Sequence, residues 1–180
     1  MKNLSKEDYK TMPWKNGQGI THEIVISPPG STLQQNNFDY RISSAEVKSS
    51  GPFSLFPGMI RLLVIISGKG LVLNGKAVSP YHVLEFMGEE VIEANLIDKG
   101  IIDVGIIFDP SKIHASMNII LEDTSLILTG ENYFYCSEGS FMVKGLELDE
   151  TECLHIEQNQ KIKLLLAHKS KVIWINIKHV

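Results

Sequence analysis

Met12-Pro13-Trp14-Lys15-Asn16-Gly17-Gln18-Gly19 runs directly into Ile20-Thr21-His22-Glu23-Ile24-Val25-Ile26, and this stretch sets the reading of the chain. Pro13 has a fixed φ and no amide donor, which suits entry into a turn. Asn16-Gly17 is a turn dipeptide because both residues tolerate positive φ. Trp14 and Lys15 are neighbours, so in an extended segment their side chains leave on opposite sides. The residues that follow alternate as in a half-buried strand. Ile20, His22, Ile24 and Ile26 share one face, and Thr21, Glu23, Val25 and Ser27 the other. That alternation predicts that His22 points inward with the isoleucines. Taken alone, the stretch also fits an ordinary N-terminal arm with a packed tryptophan, a solvated lysine and a turn.

The rest of the chain keeps a rhythm of short strands. Phe38 to Val47 places Phe38, Tyr40 and Ile42 on one face and Arg41, Ser43 and Ala45 on the other, so Arg41 has small neighbours and room to cross a cavity. Gly51-Pro52 and Pro57-Gly58 bracket the aromatic loop Phe53-Ser54-Leu55-Phe56. Arg61 to Ile66 is β-branched and nearly continuous, as in a strand buried on both faces. Asn74-Gly75 is a type I′ hairpin signal. Further strands are predicted over 83–86, 91–96 and 101–108, and Asp109-Pro110 breaks the chain. The second half repeats the style over 117–121, 125–129, 133–136, 141–143, 161–166 and 172–177. Its last two strands are predicted to form a hairpin through His168-Lys169-Ser170. Evenly spaced short strands without helical periodicity predict an all-β barrel or sandwich.

Composition narrows the function classes. The chain of 180 residues is 43% hydrophobic and carries a net charge of −4. That is enough apolar content for a sizeable core, and no basic stripe suggests nucleic acid. No apolar run is long enough for a bilayer span, so no membrane partner is expected. Cys136 and Cys153 have neither metal nor disulfide spacing and read as free thiols in a reducing compartment. With no signal-like segment at the start, the expectation is a soluble cytoplasmic protein.

Three blocks together carry a resemblance: the segment at 12–19, the strand Phe38-Asp39-Tyr40-Arg41, and Gly51-Pro52-Phe53-Ser54-Leu55-Phe56-Pro57-Gly58 before Arg61. In order, spacing and residue type they resemble the HutD/Ves family, with its PWKNGGG-like, FDWR-like and GPFSxFPG-like blocks. The resemblance implies double-stranded β-helix (cupin) barrels, two fused as a compact bicupin of approximate halves 1–110 and 111–180, with little helix and an N-terminal arm shared between them. It also implies a small-molecule binder linked to histidine utilisation or stress response. The sequence itself shows no internal repeat, so the two-barrel expectation rests on the resemblance.

In that family the matched blocks converge on one barrel pocket, which implies Trp14, Lys15, Asn16, His22, Arg41, Phe53, Ser54, Phe56 and Arg61 as ligand-binding residues. Lys15, Arg41 and Arg61 suit an anion, because charge-assisted contacts favour carboxylates. Their bland counterparts are solvation for Lys15 and ion pairs with Asp39, Glu46 or a surface carboxylate for the arginines. Trp14, Phe53 and Phe56 suit the wall for a flat ring, or plain core. Asn16 and Ser54 offer directional hydrogen bonds.

The six histidines are isolated in sequence, so no metal and no cofactor are expected. The family usually has arginine where this chain has His22, so a titratable cation replaces a permanent one. The competing reading of His22 is a core histidine satisfied by a carbonyl. A second departure puts Gly105 in place of an asparagine and Asp109-Pro110 in place of paired arginines. The expected function is a metal-free bicupin that senses or sequesters a small anionic metabolite, urocanate or N-formylglutamate in kind, those names coming from the resemblance. The alternatives are a metal-independent isomerase or lyase working by proton transfer, with Glu23, Glu46 or His22 as acid or base, and an interaction protein with a vestigial pocket. Pairing through sheet edges would give a homodimer.

Overall fold

Strands and their connecting turns account for the whole chain in a computed structural model that describes residues 1–180. They gather in two compact units, one of Met1–Asp8 with Ile113–Val180 and one of Tyr9–Lys112. The division falls two residues beyond the expected break at Asp109-Pro110. The first strand, β1 (Lys2–Leu4), pairs antiparallel with β17 (Cys153–Ile156), so the N-terminal residues belong to the unit built from the C-terminal half.

The Tyr9–Lys112 unit holds β2 (Lys10–Pro13), β3 (Gly19–Ser27), β4 (Tyr40–Val47), β5 (Gly51–Pro52), β6 (Ile60–Ser67), β7 (Leu71–Leu73), β8 (Lys76–Val78), β9 (Val83–Met87), β10 (Glu93–Leu96) and β11 (Ile101–Phe108). They form a six-stranded sheet in the order β2-β3-β4-β11-β6-β9 and a four-stranded sheet β5-β10-β7-β8. Val47, Leu63 and Ile65 from the first sheet and Leu71, Leu73, Val78 and Ala94 from the second share one apolar cluster. The two sheets therefore pack face to face. A smaller cluster joins Phe38, Met59 and Ile107, with Ile26, Leu33 and Phe56 against it. Asn74-Gly75 makes the β7–β8 turn with φ of 46° and 83°, the positive values its hairpin type needs.

The other unit repeats this plan with β12 (Ile113–Ile120), β13 (Thr124–Leu128), β14 (Glu131–Glu138), β15 (Ser140–Val143), β16 (Leu146–Asp149), β18 (Gln160–Leu166) and β19 (Lys171–His179). Its sheets run β1-β17-β14-β19-β12 and β13-β18-β15-β16. Phe134, Cys136, Leu154 and Val172 meet Phe141, Val143, Leu148 and Leu164 in one core. The predicted β18–β19 hairpin does not form. β18 pairs with β13 and β15, whereas β19 pairs with β12 and β14. The turn before Lys171 carries the chain from one sheet to the other, anchored by Ala167 N–H donating to Ser140 O and Ser140 N–H to Ser170 Oγ. Alternating strands look alike in sequence whether they turn back in one sheet or cross to the next.

Candidate functional site

The site is built outward from the Asn16-Gly17 turn. Trp14 N–H donates to Gly19 O, and Gly17 N–H, at φ 69°, donates to Trp14 O. Asn16 Oδ1 accepts from Gln18 N–H, which uses the asparagine to close the turn. The closure folds the Trp14 ring over Gly19, where a Cβ would lie 2.7 Å from Trp14 Cδ2. The indole Nε1–H donates to Thr21 Oγ1 at 2.9 Å. The ring is thereby fixed as one wall of a cavity of about 590 Å³ in the Tyr9–Lys112 unit, a size usual for small-molecule sites.

β4 supplies the next wall. Arg41, Ser43, Ala45 and Val47 line the cavity, the face that alternation gave to Arg41. Arg41 is buried; its Nε donates to Glu23 Oε2 at 2.7 Å and its Nη1 to Ser43 Oγ at 3.3 Å. Its Nη2 is buried without a hydrogen-bond partner. Glu23 and Arg41 form a neutral pair, and one guanidinium edge remains to be satisfied.

Arg61, directly across from Phe86 in the β6–β9 ladder, lies among three rings. Its guanidinium carbon is 5.1 Å from the Phe53 centroid, 5.6 Å from Phe56 and 5.0 Å from Phe86. Nη1 donates to the Ser54 carbonyl at 3.1 Å. Stacking on aromatic faces holds a cation in a partly dry place. Burial pulls the Arg61 guanidinium below its usual range and the charge of Asp103 opposes this, while Arg41 adds to the lowering. Asp103 on β11 also lines the cavity; burial pushes its carboxyl up to about 7, against the pull of Arg61. Glu23 is spent on Arg41, which leaves Asp103 as the carboxyl in the lining that faces Arg61.

Eight of the nine residues named from sequence line this cavity: Trp14, Lys15, Asn16, Arg41, Phe53, Ser54, Phe56 and Arg61. Lys15, Asn16 and Ser54 are exposed at its edge. His22 is not part of the lining. The β3–β4 register shifts between Glu23 and Val25, and an extra residue in one strand flips every side chain beyond it. His22 lies across from Ser44, whereas Ile26 lies across from Arg41, so the two do not share the face that uninterrupted alternation predicts. Thr21 and Glu23 stand on the Arg41 side instead. His22 Nδ1 is 3.0 Å from Thr11 Oγ1 and its Nε2 is 3.7 Å from Glu46 Oε1. Its hydrogen bond is to the Thr11 side chain, not to the carbonyl of the competing reading.

Phe86 and the cavity-facing Asp103 are not among the residues that the sequence points to. The pattern Phe86 belongs to is legible only through the β6–β9 pairing. Gly105 lines the cavity beside Asp103, and Asp109 closes its own turn by accepting from Ser111 N–H and Oγ–H. The lining carries one carboxylate and no histidine or cysteine, so it lacks the imidazole set that a cupin-type metal centre needs.

A family model described as HutD matches residues 6–174. Over 172 residues, 88% of each chain, the sequence is 29% identical to an uncharacterised 21.2 kDa protein in the hutC 3′ region of Pseudomonas putida. The structure of HutD from Pseudomonas fluorescens SBW25, obtained in a formate condition, matches with a TM-score of 0.87 at 26% identity, covering 99% of this chain and 98% of that one. A cupin 2 conserved barrel domain protein from Leptotrichia buccalis matches at TM-score 0.56 and 13% identity over 94% and 96% of the two chains, a likeness of fold alone.

Proposed function

The chain belongs to the HutD family, and from that premise we propose that the cavity of the Tyr9–Lys112 unit binds a small carboxylate metabolite of histidine utilisation. The observation that carries this reading is the buried, unpartnered Nη2 of Arg41. A buried donor without a partner costs free energy, and a carboxylate is the group that completes a guanidinium edge with two charge-assisted bonds. Arg61 supplies a second fixed cation, and Trp14, Phe53 and Phe56 offer apolar faces to a flat or extended body. Urocanate and N-formylglutamate have that combination of carboxylate and compact body, and both come to this chain through its family and the hut-region name of its relative. The protein then acts in the cytoplasm as a sensor or sequestering protein.

A second reading has its own observation. Asp103, at about 7, is poised to give or take a proton at the cavity wall. A metal-independent proton transfer on the bound carboxylate would use that group.

A thermal-shift panel of urocanate, N-formylglutamate, glutamate, histidine and formate tests the proposal. A ligand at about 100 times its Kd adds roughly 2.7 kcal/mol to stability, a shift of several degrees. Chemical change of the shifting compound favours the Asp103 reading. An absence of any shift leaves an interaction protein with a vestigial pocket.

A further inference from the structure

The unit of Met1–Asp8 and Ile113–Val180 contains a cluster of a different kind, built from none of the motifs that led the sequence reading. Glu131 and Tyr133 lie two residues apart on β14, and Tyr133 pairs across to His155 on β17. Glu131 pairs across to Ile177 on β19, which puts His179 on the same face two residues on. Glu157 follows His155 by two residues. Period-2 geometry thus places two imidazoles and two carboxylates on one face of the five-stranded sheet, opposite the side that Phe134, Leu154, Ile156 and Trp174 turn to the core.

The donor atoms converge. His179 Nε2 is 2.9 Å from Glu131 Oε1, His155 Nε2 is 3.4 Å from Glu131 Oε2, and His155 Nε2 is 3.8 Å from Glu157 Oε1. The ligand atoms of Glu131, His155 and Glu157 all fall within 4.8 Å of one another. Donors about 2.0–2.2 Å from a shared ion stand roughly 3–4 Å apart, and the His155 Nε2 distances to Glu131 and Glu157 fall in that range. The 3.4 Å approach does not complete a hydrogen bond, and His155 Nε2 is buried without a hydrogen-bond partner. The ring is held rigidly, stacked on Tyr133 at 4.2 Å between centroids and 3° between planes. The Tyr133 hydroxyl donates to Glu131 Oε2 at 3.3 Å, so it orients both a carboxylate and an imidazole. A ligand shell positioned by its own supporting contacts is how protein metal sites are built.

We propose that Glu131, His155 and Glu157 bind one divalent transition-metal ion, with His179 holding Glu131 by its other oxygen. The mixed nitrogen and oxygen set suits zinc or nickel better than magnesium, which prefers oxygen and water. This departs from the expectation that the chain holds no metal. That expectation rested on histidines isolated in sequence, whereas the strand register brings His155 and His179 to one carboxylate. The site shares no residue with the Arg41 cavity.

Isothermal titration of the metal-free full chain with zinc chloride, nickel chloride and magnesium chloride tests it. The expected result is one zinc or nickel ion per chain and no measurable magnesium binding. His155→Gln and the exposed-site variant Glu157→Gln should each weaken zinc by at least about 10-fold, since removing even a supporting group commonly costs that much. Arg41→Lys should leave zinc affinity unchanged. Absence of zinc and nickel binding, binding unaltered in Glu157→Gln, or equal loss in Arg41→Lys would overturn the proposal. Cobalt(II), added in place of zinc, should give a visible d–d absorption that the same two variants abolish.

Discussion

Arg41 Nε donates to Glu23 Oε2 at 2.7 Å, with side chains only 5% and 9% exposed. This buried ion pair joins β3 to β4 and aims what remains of the guanidinium at the cavity. A buried pair adds little net stability against an apolar replacement, but removing one partner strands the other charge. Arg41→Ala should therefore cost about 3–5 kcal/mol in urea unfolding, and Arg41→Met with Glu23→Leu should recover most of that loss. A cost below about 1 kcal/mol for Arg41→Ala would mean that water reaches Glu23 in the folded protein.

Gly19 is required by packing, not by φ. A Cβ there would come within 2.7 Å of both Trp14 Cδ2 and the Glu46 carbonyl oxygen. The carbonyl belongs to the strand ladder and cannot retreat, so the indole must move. Gly19→Ala should destabilise by about 1–3 kcal/mol and shift tryptophan emission to the red. Unchanged emission would show that the Trp14 wall tolerates the methyl group.

Asp103 gives a pH dependence of definite sign. Its carboxyl titrates at about 7 when folded, against an ordinary value of 3.8, so between these values the folded chain binds more protons than the unfolded one. Its stabilising contribution is complete below the ordinary value and is lost as pH rises through about 7. Asp103→Asn should flatten the stability profile over that window. A bound anion also repels the Asp103 carboxylate, so carboxylate affinity should fall between about pH 6 and pH 8 in the wild type and vary less in Asp103→Asn.

Cys136 and Cys153 are buried free thiols. Burial pushes the Cys136 thiol up to about 12 and raises Cys153 still more. The thiolate is the reactive form, so a thiol reagent at neutral pH should modify neither residue in the native protein and both in urea. Rapid native labelling would reveal local opening of the β14–β17 ladder.

The residues that were legible in sequence are those whose signals are local. The Asn16-Gly17 turn, the Arg41 face of β4, the Asn74-Gly75 hairpin and the strand over 101–108 each follow from neighbouring residues, and the structure contains all of them. His22 failed because a bulge leaves no mark in an Ile-x-His-x-Ile-x-Ile pattern, yet it reverses the face beyond it. Short strands such as β5 and β17 lack a periodic run and form because partners already present can pair with them. Phe86, Asp103 and the His155–His179 cluster depend on strand order and register, which alternation cannot encode.

The free edge of Arg41 is the proposed anchor for a carboxylate. Calorimetric titration of urocanate, N-formylglutamate and formate into the wild type and Arg41→Lys tests it most directly. Lysine keeps the charge beside Glu23 but not the planar second donor. The expected result is one site in the wild type and at least about 10-fold weaker binding in Arg41→Lys, from the loss of a charge-assisted bond, with an unchanged fold by circular dichroism. Equal affinity in the two proteins, or no binding of any small carboxylate to the wild type, would contradict it.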